Sequence, residues 1–255
     1  KMEYLAFAGT TGWLPLAYYN VYKQDGYLTP FTTCKETNQE VCEVERPRNM
    51  FISRALRAVR CPVLGRANSA CAKEKKGPTT WLAVLLFLIV GTFGSINVFK
   101  SIQSHNRQSR SRTNIGTYNF WFPSLLSVAI SVLLFGLLEV PYGSAPYESK
   151  KYHLMTAISA FALMIINSFY LSIHASPRRK TIMYALTIGL CLTALMAGTS
   201  EAVVDNNIPD VTSRAHGWYE GKQWHRRLID SAFQLGENLP IILYGIIIVV
   251  ASLKS

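Results

Sequence analysis

Charge is the scarcest commodity in this sequence. Charged residues occupy 16% of its 255 positions, against ~25% in ordinary soluble domains. A fold with a fully solvated surface is excluded on that ground. Cysteine is sparse as well: five residues in this length are too few for a disulfide-dense secreted miniprotein. There is no collagen period and no sustained heptad, and an apolar content of 49% excludes a disordered chain. Chemical signatures are missing too. The sequence holds no P-loop, no G-x-G-x-x-G after a strand, no G-x-S-x-G, no H-E-x-x-H and no H-x-x-H pair. His153 and His174 stand at opposite ends of one apolar run, roughly 30 Å apart at helical rise, so they cannot share a metal. No other apolar run carries a histidine for bis-His haem ligation. No catalytic residue, metal or cofactor is therefore expected, and bound lipid is the one small-molecule partner the composition suggests.

What is abundant is long apolar sequence. Five runs of membrane-spanning character occur in succession, at 81–99, 120–138, 154–173, 181–200 and 238–253. A soluble core might hide one such run, but not five. With no water to satisfy the backbone in lipid, these runs must be helices, since the alternating pattern of a barrel is absent. The expected fold class is all-α: a polytopic membrane protein of five transmembrane helices, with residues 2–22 as a candidate sixth membrane segment. That segment mixes apolar residues with Glu3, a Gly-Thr-Thr-Gly run and Pro15, which suits an interfacial segment as well as a span. No targeting peptide is recognisable. The expected organisation is a basic, Cys-containing head at 1–80 and a helical bundle at 81–255, with a long aromatic loop at 201–237.

Loop charge orients the bundle. Segment 100–119 carries Lys100, Arg107, Arg110 and Arg112 with no acid, and 174–180 carries Arg178, Arg179 and Lys180. By the positive-inside rule these loops and the C-terminal Lys254 face the cytoplasm or its equivalent. The head then lies on the opposite side, although it is itself basic.

The head holds Cys34, Cys42, Cys61 and Cys71. Two local disulfides, Cys34–Cys42 and Cys61–Cys71, are the simplest reading in an oxidising space, with two other connectivities and free thiols as alternatives. A zinc site lacks C-x2-C spacing and a nearby histidine. Cys191, inside a span, is a small packing residue. Residues 49–62 place Arg54, Arg57 and Arg60 together on one helical face and Phe51, Ile52, Leu56 and Val59 on another. This pattern fits a surface helix on anionic lipid or on an acidic partner, and equally an ordinary solvated helix. Nucleic acid is not an expected partner, because the net charge of +11 is dispersed and no stacking motif accompanies it. The chain contains no Asn-x-Ser/Thr sequon, which leans toward a compartment without glycosylation, such as the mitochondrial inner membrane.

Within the spans, Ala185, Gly189 and Thr193 form a small-residue ridge where another helix can approach; Gly91 and Ser95 do so more weakly. Asn97 and Asn167 can bond across helices. In segment 201–237, Trp218, Tyr219 and Trp224 with flanking cations match an interfacial aromatic belt. Glu237 is the most informative acid. Sixteen residues from Asn238 reach only about 24 Å, so the last helix is expected to begin earlier. Asp230, Gln234 and Glu237 then form one polar stripe entering the membrane, with Lys222, Arg226 or Arg227 as candidate partners for Glu237. The alternative is a hydrated Glu237 in the first helical turn.

Residues 120–255 resemble the C-terminal spans of the Frag1/DRAM/Sfk1 family. The resemblance rests on Tyr152-His153 before a small-residue helix, on the turn between the third and fourth spans, and on Gln234-Leu235-Gly236-Glu237 followed by Leu243-Tyr244-Gly245. It implies a six-span endomembrane protein acting in lipid-anchor remodelling or autophagy. The Pro-Glu-rich signature expected between the first two spans is not recognisable in 23–80. Independently of that resemblance, the sequence reads as a non-catalytic accessory subunit of a larger membrane complex, such as a respiratory or other energy-transducing assembly. Its expected partners are other membrane subunits and anionic lipids. A small transporter or channel using Glu237 is the remaining alternative, though no inverted repeat is evident.

Overall fold

A computed structural model describes residues 1–15, 31–34, 42–45, 78–109, 118–139, 147–207 and 223–253. Six helices dominate: α1 (Met2–Thr11), α2 (Pro78–Ser109), α3 (Trp121–Glu139), α4 (Tyr147–Ile173), α5 (Pro177–Asn207) and α6 (Gln223–Ser252). Their ends follow local chemistry. Pro78 and Pro177 open α2 and α5, where a missing N–H costs nothing. Before α3, Asn119 Oδ1 accepts the Trp121 N–H at 3.1 Å, occupying one of the otherwise orphan donors of the first turn. In the head, β1 (Phe31–Cys34) and β2 (Cys42–Glu45) pair antiparallel, with Cys34 opposite Cys42.

The chain is an all-α polytopic membrane protein. Four stretches are long and apolar enough to cross a membrane: Val84–His105, Leu154–Ile173, Pro177–Thr199 and Leu235–Ser252. The apolar part of α3, Trp121–Leu137, is shorter. Polarity is inverted relative to a soluble protein. Leu125 on α3 is 65% exposed and Phe93 on α2 is 63% exposed, whereas Asn167, Ser168, Ser172 and Thr187 are fully buried. Apolar side chains face outward because lipid is as good a solvent for them as the interior, so what distinguishes the interior is close packing and hydrogen bonding.

The helices form a ring in chain order, closed by α1 lying against both α2 and α6. α6 is the hub: it packs against α1, α2, α4 and α5, and its Tyr244 reaches Ser127 of α3. Small residues permit this. A Cβ on Gly9 would overlap the backbone of Gly91, so α1 and α2 touch through bare backbone. Likewise a Cβ on Gly236 of α6 would lie 2.6 Å from Ala197 N of α5. Pro240, buried inside α6, withholds the N–H that the Gly236 carbonyl would otherwise receive.

Several boundaries differ from the sequence expectation. α2 continues through Ser109, so the first half of the basic segment 100–119 is helix rather than loop. α5 continues to Asn207 and α6 begins at Gln223, which shortens the expected 201–237 loop from both ends. Polar residues continue these helices because the backbone bonds of an established helix propagate at little cost beyond the apolar slab. Segment 2–22 begins as a helix inside the bundle: Ala6, Gly9 and Thr11 of α1 are buried. Residues 16–22 lie outside the described residues, as do Arg54, Arg57, Arg60, Cys61, Cys71, Trp218 and Tyr219.

Candidate functional site

A buried seam of neutral polar groups joins α3, α4 and α6. Asn167 Nδ2 donates to Tyr244 Oη at 2.7 Å, and Tyr244 Oη pairs with Ser127 Oγ at 3.0 Å. Weaker contacts run from Asn167 Nδ2 to the Pro123 carbonyl and to Ser127 Oγ, both at 3.4 Å. Two further hydroxyl pairs cross helices, Thr92–Ser131 at 2.7 Å between α2 and α3, and Ser172–Thr187 at 3.1 Å between α4 and α5. Thr92 and Thr187 also bond back to their own helices, to the Leu88 and Met183 carbonyls, as the neighbouring buried Ser95 does to Gly91. Such back-bonding keeps a hydroxyl satisfied at depth while its oxygen can still accept. A cavity of ≈ 20 Å³ adjoins the seam, lined by Thr10, Thr92, Ser127, Ser131, Met164 and Tyr244 among others.

The second cluster lies where α3 begins and α4 ends. Tyr118, Tyr170 and His174 stack with ring centroids 4.6–5.6 Å apart. Tyr170 Oη donates to the Asn119 carbonyl at 3.1 Å and accepts the Asn119 N–H at 2.9 Å, tying the entry of α3 to α4. Burial, with Tyr170 adding, pushes the Tyr118 phenol far above its ordinary value. Burial first and Lys180 second push His174 below its ordinary value, so its imidazole is neutral at pH 7. Tyr118 Oη and His174 Nδ1 have no hydrogen-bond partner among the described residues. Arg179 reaches the end of α6, donating from Nη1 to the carbonyls of Val250 (3.3 Å) and Ala251 (3.2 Å) and from Nε to Ser176 Oγ (3.1 Å). A guanidinium there both fills orphan carbonyls and opposes the negative end of the helix dipole. Lys100, Arg178 and Lys180 are exposed, and Lys100 Nζ sits 5.7 Å from the centre of the Phe120 ring.

The residues singled out from sequence are distributed unevenly over these features. Asn167 does bond across helices, but Asn97 is exposed and donates to its own Phe93 carbonyl at 2.9 Å. Of the expected packing ridge, Gly189 meets Leu243 of α6 at ordinary contact distance, Ala185 is exposed, and Thr193 bonds its own helix. The tighter approaches use Gly9, Gly91 and Gly236 instead. Asp230, Gln234 and Glu237 all fall on α6, whose start at Gln223 excludes the reading of Glu237 as a first-turn residue. Glu237 is half-buried and engaged with a partner. Cys191 is a free thiol, half-buried on α5. Among the described residues no three of His, Cys, Asp and Glu gather as metal ligands. Sequence reasoning missed Ser127 and Tyr244. The signal was present: Ser124, Ser127 and Ser131 recur at i, i+3 and i+7, one polar face on an otherwise apolar helix. No family model, curated protein or solved structure matches this chain.

Proposed function

We propose that the chain is a non-catalytic integral-membrane subunit that works through lateral contacts with other membrane subunits and with anionic lipids. The supporting observation is a division of chemistry between inside and outside. The buried hydroxyl and amide groups bond inside the bundle, to one another across helices and to carbonyls of their own helices, while the outward faces of α2 to α5 are apolar and the end bearing Lys100, Arg178 and Lys180 is cationic. Apolar faces suit neighbouring helices and acyl chains; the cations suit anionic headgroups. The basic end faces the cytoplasm or matrix in this reading, and the host is an energy-transducing assembly of the mitochondrial inner membrane. A Cys34–Cys42 disulfide is part of the proposal. Its support is the strand register, since directly opposed residues have Cα atoms roughly 4.5–5.5 Å apart, inside the range a disulfide spans. Extraction in mild detergent followed by a native gel and mass spectrometry tests the subunit reading. Co-migration with a reproducible set of membrane proteins is expected, and migration as a lone chain contradicts it.

A second reading is a Frag1/DRAM/Sfk1-like endomembrane protein in lipid-anchor remodelling or autophagy. The positions behind that resemblance coincide with tight packing: Gly236 against Ala197, Tyr244 in the polar seam, and Gly245 with a Cβ position 2.8 Å from Thr11 Cγ2. Packing of α1 as a sixth helix favours it as well. The same gel separates the two readings, because this one expects a lone chain recovered from endomembrane fractions.

A further inference from the structure

Asn97 is a carboxamide turned toward lipid. It lies within the span Val84–His105, yet it is exposed, and its Nδ2 makes one bond, to the Phe93 carbonyl of its own helix at 2.9 Å. Its second N–H and its Oδ1 meet nothing among the described residues. Of the carboxamides described in the four spans, Asn167 is buried, Gln103 and Asn238 are half-buried, and Asn97 alone is exposed.

The depth of Asn97 follows from the packing of α3. Thr92 pairs with Ser131 and Lys100 Nζ reaches the Phe120 ring, so α2 and α3 run antiparallel. Counting ten residues back from Ser131 to Trp121 puts that tryptophan level with Ile102 of α2. Trp121 is exposed and marks the headgroup level. Asn97 is then five residues inside it, roughly 7–8 Å of helical rise. At that depth bulk water does not serve the idle donor and acceptor, and leaving them unbonded in hydrocarbon is costly.

The surrounding face suits a helix. Leu86, Val90, Phe93 and Asn97 are all exposed and follow one another at intervals of 4, 3 and 4 residues, the spacing of a seam between two helices. No charged residue interrupts it from Leu82 to Asn97. Lys100, next along the seam, leans toward Phe120 of its own chain.

We propose that this face of α2 binds the same face of a second copy of the chain. A two-fold axis along the membrane normal sets the two α2 helices parallel and brings each residue opposite itself at equal depth. A carboxamide both donates and accepts, so Asn97 and its copy exchange two N–H···O bonds and employ what each leaves idle. An unrelated helix would have to bring a matching group to that depth, whereas a copy brings it by symmetry. A single Asn in such a seam also fixes register and the number of strands. The inference goes beyond the subunit reading and does not rest on it, since a pair of copies forms whether or not other proteins join.

Photo-crosslinking in native membranes tests this, on the full chain with Phe93 replaced by p-benzoylphenylalanine, one turn from Asn97. The expected adduct joins two copies through α2. Its yield should fall about tenfold when Asn97→Leu is added and survive in Asn97→Gln, which keeps the amide. An adduct to a different protein, or to lipid alone, overturns the proposal. So does a two-copy adduct of undiminished yield in Asn97→Leu. Single-molecule photobleaching of the wild type in dilute liposomes decides the matter should Asn97→Leu fold poorly: two bleaching steps per particle are expected, and one step overturns the pairing.

Discussion

The two flanks of α6 are held by opposite means. Toward α1 and α5 the contact depends on side chains that are missing: Gly245 admits Thr11, and Gly236 admits the backbone of Ala197. Toward α3 and α4 it depends on side chains that are present, with Asn167, Ser127 and Tyr244 meeting within hydrogen-bond reach. The difference matters because the two kinds of contact fail differently. Repulsion between overlapping atoms is steep, so a single added carbon can separate two helices. A hydrogen bond lost in a membrane protein is replaced in part by other partners, which keeps its net worth small.

The sharpest way to break the comparison is on the glycine flank. Gly91→Val should cost about 3 kcal/mol or more, because the obstruction is the backbone around Gly9 and Thr10 and not a movable side-chain tip. Yield of monodisperse protein and the thermal unfolding midpoint in detergent read that loss; a variant within 2 °C of wild type would show that α1 does not lie against α2 as described. Next comes a matched pair of glycines. Gly236→Ala should destabilise by roughly 1–3 kcal/mol, since its Cβ would fall within 2.8 Å of three Ala197 atoms. Gly198→Ala should instead stabilise by about 0.5–1 kcal/mol, because nothing lies within 4 Å and alanine is the better helix former. Unfolding midpoints moving in the same direction for both would defeat the assignment of which glycine is in contact.

On the polar flank, Asn167→Leu keeps the volume and removes the amide donor. Its expected cost is about 1–2 kcal/mol, near the top of the range for interhelical bonds in membranes, because Tyr244 loses its shortest partner. Tyr244→Phe should cost no more than that, and a double-mutant cycle with Asn167→Leu should be markedly sub-additive. Additive costs would mean the two residues do not share a bond.

The smallest effect is expected at the aromatic cluster. His174 is held below its ordinary value of 6.5 by burial and Lys180, so the unfolded chain binds its proton more readily than the folded one. Its contribution to stability is complete above about pH 7 and declines as pH falls through the unfolded value near 6.5 toward the lower folded value. A pH series of unfolding midpoints should fall over that window, and His174→Phe should flatten it. An unchanged slope in the variant would assign the dependence to another group.

How much of this was legible in the sequence follows from the range of the forces involved. Apolar length is a one-dimensional property, so the runs at 81–99, 120–138, 154–173 and 181–200 announced α2 to α5 directly. Where the helices extend past the slab they do so on polar residues such as those after Lys100, and hydropathy is silent there. α1 was ambiguous for a related reason: Gly9 and Gly12 lower its helical propensity, and only the fit of Gly9 against Gly91 and of Gly12 against the Phe87 ring makes those glycines assets. Asn167 stood out as an amide in an apolar run. Tyr244 did not, because tyrosine is common near membrane interfaces and its partners lie 77 and 117 positions away in sequence. The ridge at Ala185, Gly189 and Thr193 had the spacing of a contact stripe, but spacing cannot say which face of a lipid-embedded helix turns inward when both faces are apolar.

That last point is also the central claim: lipid meets the large apolar side chains, and the polar groups lie inside. Carbene photolabelling from within the bilayer, mapped residue by residue on the unmodified chain, tests it most directly. The account predicts label on Leu125, Ile158 and Leu195, which are 63–65% exposed, and none on Met164, Met183, Leu190 and Ile247. Label on the second set at the level of the first would contradict the fold.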